Sequence, residues 1–241
     1  MRAVRLIFIS VLATGFYPAP AQDPAPLAMQ EISPGVFQLG KLRLDKGARS
    51  VSFPGRVNMA KDLIEYVLVT PQGATHESLL SSEVQPSDLH FAMLLLGAKG
   101  AGLLAPQPGD APPGQIDADY LRTAPRLKGD NVSFAVKWKG TDGMEHAAPV
   151  EDWLVNAETN KPVSHGPWLY NGSMFGSEGG FLAQQQGTFA SVVTNPSALI
   201  NNPRAGNHND KLWAVNEKAV PAVDTPVEIV LTLIDGTSET K

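Results

Sequence analysis

The 20 prolines and 22 glycines scattered through this chain are the strongest constraint on what it can fold into. Proline lacks the N–H that a helix interior uses, and glycine loses the most backbone freedom when it is ordered there. Between these breaks lie short β-branched and aromatic runs, several with apolar side chains at every second position, the period of a half-buried strand. Residues 36–44, 49–53, 63–70, 132–139, 144–150, 168–171, 188–194 and 227–234 are predicted strands. Turns are expected at Asp45-Lys46-Gly47, at Pro71-Gln72-Gly73 and at Gly140-Thr141-Asp142-Gly143. One segment, 88–96, is apolar nearly all round and reads as a buried helix. Ser87 or Asp88 would cap its start and Gly97 would stop it. A shorter helix is expected from Asn195 to Ile200. The fold class expected is β-rich α+β: a mostly antiparallel sheet or sandwich with one buried helix over 88–96.

Residues 1–21 have the three parts of a secretory signal in order: Arg2 and Arg5, an apolar run from Leu6 to Tyr17, and Ala19-Pro20-Ala21. Cleavage near Ala21 would deliver the protein to the periplasm or the extracellular space. Residues 22–29 then form a Pro/Ala linker, and 30–240 the folded part. The Pro/Gly-rich stretch 105–116 divides that part into two possible subdomains. Cleavage removes two arginines and no acid, so the mature chain is more acidic than the −5 of the whole. That balance disfavours nucleic acid as a partner. No segment after the signal is long and apolar enough to span a membrane. There is no cysteine, which rules out disulfides, a thiol nucleophile and thiolate-held metals.

The polar candidates are His76, Glu77 and Ser78. An imidazole titrates near neutrality and suits acid–base work. An extended register over 76–80 would put His76 and Ser78 on one face and Glu77 on the other. No Gly-x-Ser-x-Gly elbow exposes a serine nucleophile. His165 and Trp168 open a second candidate, an aromatic stretch that leads into a glycine-rich loop. Weak metal candidates are His76, His208 and Asp210, without the spacing of a ligand motif, so no metal and no cofactor is expected. His90 reads as a core histidine, and residues 201–210 as a polar surface loop.

The stretches THESLLSSEVQPSDLHFAMLLLGAKG (75–100), AAPVEDWLVNAETNKPVSHGPWLYNGSMF (147–175) and NPSALINNP (195–203) resemble the YdjY-domain family of exported bacterial proteins. The resemblance implies export and a domain of this extent, and brings no mechanism with it. It also implies acidic residues in relatives where this chain has Gln184, Asn195 and Asn201, which argues against a carboxylate metal site. The function expected is an exported binding or accessory module without chemistry of its own, for a small ligand or an envelope protein. The alternative is a hydrolase-like, metal-assisted enzyme centred on His76 and Glu77.

Overall fold

In the computed structural model, which describes residues 28–100, 127–177 and 179–239, the alternating apolar runs pair into a closed ring. The signal at 1–21, most of the linker and the 105–116 stretch lie outside the described residues. Met29 of the linker begins the first strand. In chain order the elements are β1 (Met29–Ser33), β2 (Val36–Leu39), β3 (Leu42–Asp45), β4 (Ser50–Val57), β5 (Tyr66–Val69) and β6 (Ser78–Ser81). Helix α1 (Pro86–Leu95), β7 (Lys128–Lys139), β8 (Glu145–Pro149), β9 (Leu154–Asn156), β10 (Lys161–Pro162) and β11 (Trp168–Tyr170) follow. Helix α2 (Leu182–Gln186), β12 (Thr188–Ser191), β13 (Ile200–Asn201), β14 (Trp213–Val215) and β15 (Pro226–Glu239) complete the chain.

The expected sheet or sandwich is corrected to a closed eight-stranded barrel in the order β4-β15-β7-β11-β13-β12-β5-β6. Closure comes from β4 meeting β6 through Arg56↔Ser81 and Val57↔Leu80. The expected strand over 49–53 ends at Phe53. β4 instead runs on to Val57 and changes partner along one edge, from β3 at residues 50–52 to β6 at 56–57. Pro54 falls between the two partners. Its opposite number on β15 is Glu228, and alternation turns the residue-54 backbone away from β15. That position needs no N–H donor, and the Pro54 carbonyl accepts from Ser82 Oγ at 2.7 Å. Gly55 permits the crossing: a Cβ there would sit 3.0 Å from the Ser81 carbonyl oxygen and 2.7 Å from Ile229 Cδ1. The ring is antiparallel except at β5–β6 and β12–β13.

Val51, Phe53, Val132, Phe134, Val136, Ile229 and Leu231 are buried on the inner face, and the Phe53 and Phe189 rings stack at 6.2 Å. Complete burial of side chains of this size contributes about 1.5–3 kcal/mol each. A hairpin arm, β1-β2-β3, extends from β4, and β8 extends from β7. A small sheet, β10-β9-β14, carries Trp213. The adjoining turn places Trp153 edge-on to Trp138 at 5.1 Å, at the far end of β7. The ring takes three strands from before the 101–126 stretch and five from after it, and one apolar cluster runs through both groups. Three further expectations change locally. Residues 36–44 are two strands of a hairpin, Leu63 makes only an isolated bridge to Ala214, and 195–199 form turns.

Helix α1 occurs where expected, but on the surface of the core. Leu89, Ala92 and Met93 are buried, while Phe91 and Leu94 remain 48% and 43% exposed. Apolar residues all round a helix suggested burial, yet only one side has neighbours, among them β3, β4 and α2. Pro86 sits at the first helical turn, Gln85 at the cap position makes no side-chain cap bond, and Gly97 follows with φ of 92°. His90, half-buried, shares a 2.7 Å hydrogen bond between its Nδ1 and the Tyr170 hydroxyl. Burial raises the Tyr170 pKa and lowers that of His90, so the phenol keeps its proton and the imidazole stays neutral. Among the described residues no helix is long and apolar enough to cross a membrane.

Two outcomes follow from these contacts. Gly55→Ala is expected to lose about 1–3 kcal/mol of stability, the usual cost of overpacking, measured by urea unfolding. A histidine whose folded pKa is depressed contributes stability above its unfolded pKa of about 6.5, and that stability is lost as pH falls toward the folded value. Unfolding free energy should therefore drop between pH 7.5 and pH 5, and His90→Phe should flatten that slope.

Candidate functional site

The barrel wall is incomplete at one place on β7. One edge of β7 is covered by β15. The other pairs with β11 at residues 130–132 and with β8 at residues 135–139, leaving Ser133 and Phe134 without a strand beside them. In an antiparallel ladder, successive residues aim their N–H and C=O at alternate edges. The Gly140 N–H bonds the Met144 carbonyl at 2.8 Å, so Gly140, Trp138, Val136 and Phe134 all face the β8 side. The other edge agrees. The Leu233 N–H goes to the Arg49 carbonyl, which leaves Thr232 and Val230 to bond Ser133 and Ala135. Both backbone groups of Phe134 therefore aim into the gap.

Two residues border it, and only one reaches Phe134. The Ala135↔Pro149 pairing brings the Val150 N–H to the Phe134 carbonyl before the chain enters the 3-10 turn Val150–Trp153. The β11 register leads to Gly166. The Gly166 N–H donates to Glu151 Oε1 at 3.3 Å, and its carbonyl accepts from Arg204 Nη2 at 3.0 Å. Glu151 and Arg204 form an ion pair at 2.6 Å, with side chains 3% and 12% exposed. Arg204 also donates to the Ser164 carbonyl and to Asn202 Oδ1, and its guanidinium lies 5.1 Å over the Trp168 ring. Burial lowers the Arg204 pKa, and the Glu151 carboxylate opposes that shift.

Outside the gap lies an open groove of about 550 Å³, lined among others by Ser133, Ala135, Ala147, Pro149, Pro167 and Ile234. His165 stands on its rim and bonds Asp152 Oδ1 through Nε2 at 2.7 Å. Ser133 and His165 share the groove, with no hydrogen bond between them among the described residues. Of the second sequence candidate, His165 thus reaches the groove, whereas Trp168 is fully buried and offers no stacking surface. Its Nε1 has no hydrogen-bond partner among the described residues. Sequence reasoning missed Glu151 and Arg204. The available signal was one glutamate inside the apolar run Val150–Leu154 and one arginine in an Asn/Pro loop. That loop was read as surface, but Asn201, Asn202 and Asn207 are buried and pinned by hydrogen bonds.

The first candidate is a different place. Thr75–Glu77 is a 3-10 turn, not the expected extended stretch, because Gly73 and Ala74 turn the chain before β6 begins. The turn brings His76 Nε2 to 3.6 Å from Glu77 Oε1, with His76 80% exposed. Ser78 is buried and donates to the Leu80 carbonyl at 2.9 Å, which removes it as a nucleophile. Burial raises the pKa of Glu65, as do the nearby Glu77 and Asp210; His76 works against them. His208 is exposed in the 202–209 loop. Among the described residues no three His, Asp or Glu side chains are grouped to hold a metal ion, and His76, His208 and Asp210 form no such group.

The molecule these observations define is a closed mixed β-barrel with a flanking helix and a breach in its wall beside β7. The model of the YdjY domain matches residues 42–232, and the chain belongs to that family. The matched span begins in β3 and reaches into β15, so it takes in every strand of the ring, the breach, and both members of the Glu151–Arg204 pair. No curated protein and no solved structure matches the chain.

Glu65 carries a raised pKa, so its ionised form opposes folding above that value and the penalty fades as pH falls toward its unfolded pKa. Glu65→Gln is expected to raise the melting temperature at pH 7. The gain should shrink toward pH 4, as followed by calorimetry across that range.

Proposed function

We propose that this protein is an exported binding module that holds its ligand in the groove beside β7. The observation that carries the reading is the breach itself. A barrel wall normally satisfies its own backbone, and here a buried ion pair holds Gly166 away from β7 beneath an accessible groove. Small apolar residues on the walls with a few fixed polar groups are the usual make-up of a ligand site. The His165–Asp152 pair at the rim suits orientation of a polar group. Both side chains are open to solvent, and no nucleophile is bonded to the imidazole among the described residues. Export rests on the charged, apolar and small-residue sequence of residues 1–21.

The reading predicts that the mature chain starts at Gln22 in the cell envelope, as read by mass spectrometry of the N-terminal peptide. Thermal-shift screening with small amides, sugars and peptides should give ligands that raise the melting temperature. Those gains should disappear in Ala147→Trp, which fills the groove from an exposed position. Ligands that stabilise both proteins equally would contradict the assignment.

A second reading has one observation in its favour: His76 and Glu77 lie 3.6 Å apart, and burial, with Glu77 and Asp210 nearby, raises the Glu65 pKa, a frequent mark of catalytic carboxylates. It predicts a hydrolytic activity that is lost in both His76→Ala and Glu65→Gln and untouched by Ala147→Trp.

A further inference from the structure

The Glu151 carboxylate has two oxygens, and the chain uses one of them. Oε1 accepts from Arg204 Nη2 at 2.6 Å and from the Gly166 N–H at 3.3 Å. Oε2 accepts no hydrogen bond among the described residues, although Glu151 is only 3% exposed. The side-chain atoms there that are both sealed from solvent and without a partner are Trp168 Nε1, Thr194 Oγ1 and Asn207 Oδ1. Oε2 is not one of them, so it keeps contact with solvent, and the open space that Glu151 borders is the groove beside β7. An almost buried carboxylate therefore turns one unused oxygen toward the groove.

An ionised carboxylate only accepts hydrogen bonds, so what Oε2 lacks is a donor. A bond to a charged acceptor is among the stronger ones that a neutral ligand can make. The charge balance decides which donor fits. Arg204 already neutralises Glu151, and its other donors are fixed on the Ser164 and Gly166 carbonyls and on Asn202 Oδ1. A ligand ammonium would give up its hydration at a carboxylate whose charge is already matched, and it would lie close to the guanidinium. A ligand carboxylate or phosphate would meet the lone pairs of Oε2 and be repelled. An uncharged N–H or O–H carries neither penalty. The other walls of the groove include Ala135, Pro149 and Pro167, which suit a short apolar body behind that donor.

We propose that Glu151 Oε2 is the acceptor that selects the ligand of the groove, and that this ligand is an uncharged molecule with an N–H or O–H donor on a short apolar body. The inference deepens the binding-module reading and rests on the same groove. It gives the buried ion pair a second task. Oε1 and Arg204 hold Gly166 away from β7, and Oε2 reads what enters beside it.

The test titrates the ¹⁵N-labelled mature chain at pH 7 with four small molecules that share an isopropyl body: isobutyramide, methyl isopropyl ketone, isobutylamine and isobutyrate. The amide and the ketone have the same shape and differ in the donor. Isobutyramide should shift the amide resonances of Ala135, Ala147, Glu151 and Gly166. The ketone should bind about tenfold more weakly, the effect of one lost hydrogen bond. The amine and the carboxylate should also bind more weakly than the amide. The double variant Glu151→Leu/Arg204→Met removes both charges together, and in it the amide should lose its advantage over the ketone. The fold of that variant is checked by its own amide spectrum, and if it does not fold the comparison on the unaltered chain decides alone. Equal binding of amide and ketone to the unaltered chain would overturn the role of Oε2 and leave the groove as a ligand site. Tighter binding of the amine or the carboxylate would overturn the uncharged class. No response to any of the four, while ligands from thermal-shift screening shift the same amides, would overturn the proposal and spare the binding module. No response to either set would overturn both.

Discussion

The Glu151–Arg204 ion pair decides where this barrel is open. Both side chains are almost entirely removed from water, and the arginine spends its remaining donors on the Ser164 and Gly166 carbonyls and on Asn202. Removing one partner of such a pair costs about 3–5 kcal/mol because a bare charge is left inside. The pair holds together three stretches far apart in sequence: the turn after β8, the approach to β11, and the loop after β13. It also takes Gly166 away from β7. The structure thus uses a buried charge pair to hold one residue out of a ladder that simple register would have completed.

The same economy explains the ring. Strand β4 serves three neighbours, and its Pro54-Gly55 step is where one edge passes from β3 to β6. Proline sits where no donor is needed, and glycine where a side chain would collide with the Ser81 carbonyl. The asparagine network on the other side does a related task. Asn201 Nδ2 donates to Asn171 Oδ1 at 2.8 Å, and the Asn195 N–H donates to Asn201 Oδ1 at 2.7 Å. These bonds fix the return that lays β13 parallel to β12, a pairing that no hairpin turn can provide.

Strand positions were legible because alternation is a local signal: Val132, Phe134, Val136 and Trp138 announced β7, and Gly140 to Gly143 its turn. Closure was not legible, because Pro54 reads as a strand end until its place between two partners is known. Burial of α1 was overestimated for a similar reason, since Phe91 and Leu94 look like core residues until the neighbours of the helix are counted. Of the candidate site, His165 was visible as a histidine beside glycine and proline. Glu151 and Arg204 lie 53 positions apart and mean nothing separately. His76 and Glu77 drew notice as adjacent polar residues, and the turn that joins them faces solvent.

The central claim is that Gly166, held by Glu151 and Arg204, does not pair with the Phe134 N–H. Native-state hydrogen exchange, read residue by residue by NMR on the mature chain without ligand, addresses it directly. The account predicts that the Phe134 amide exchanges far faster than those of Val132 and Val136, which lie on the same strand and point to the same edge but are bonded to β11 and β8. Protection of Phe134 equal to that of its two neighbours would mean the rung is filled from within the chain, and the breach would not exist.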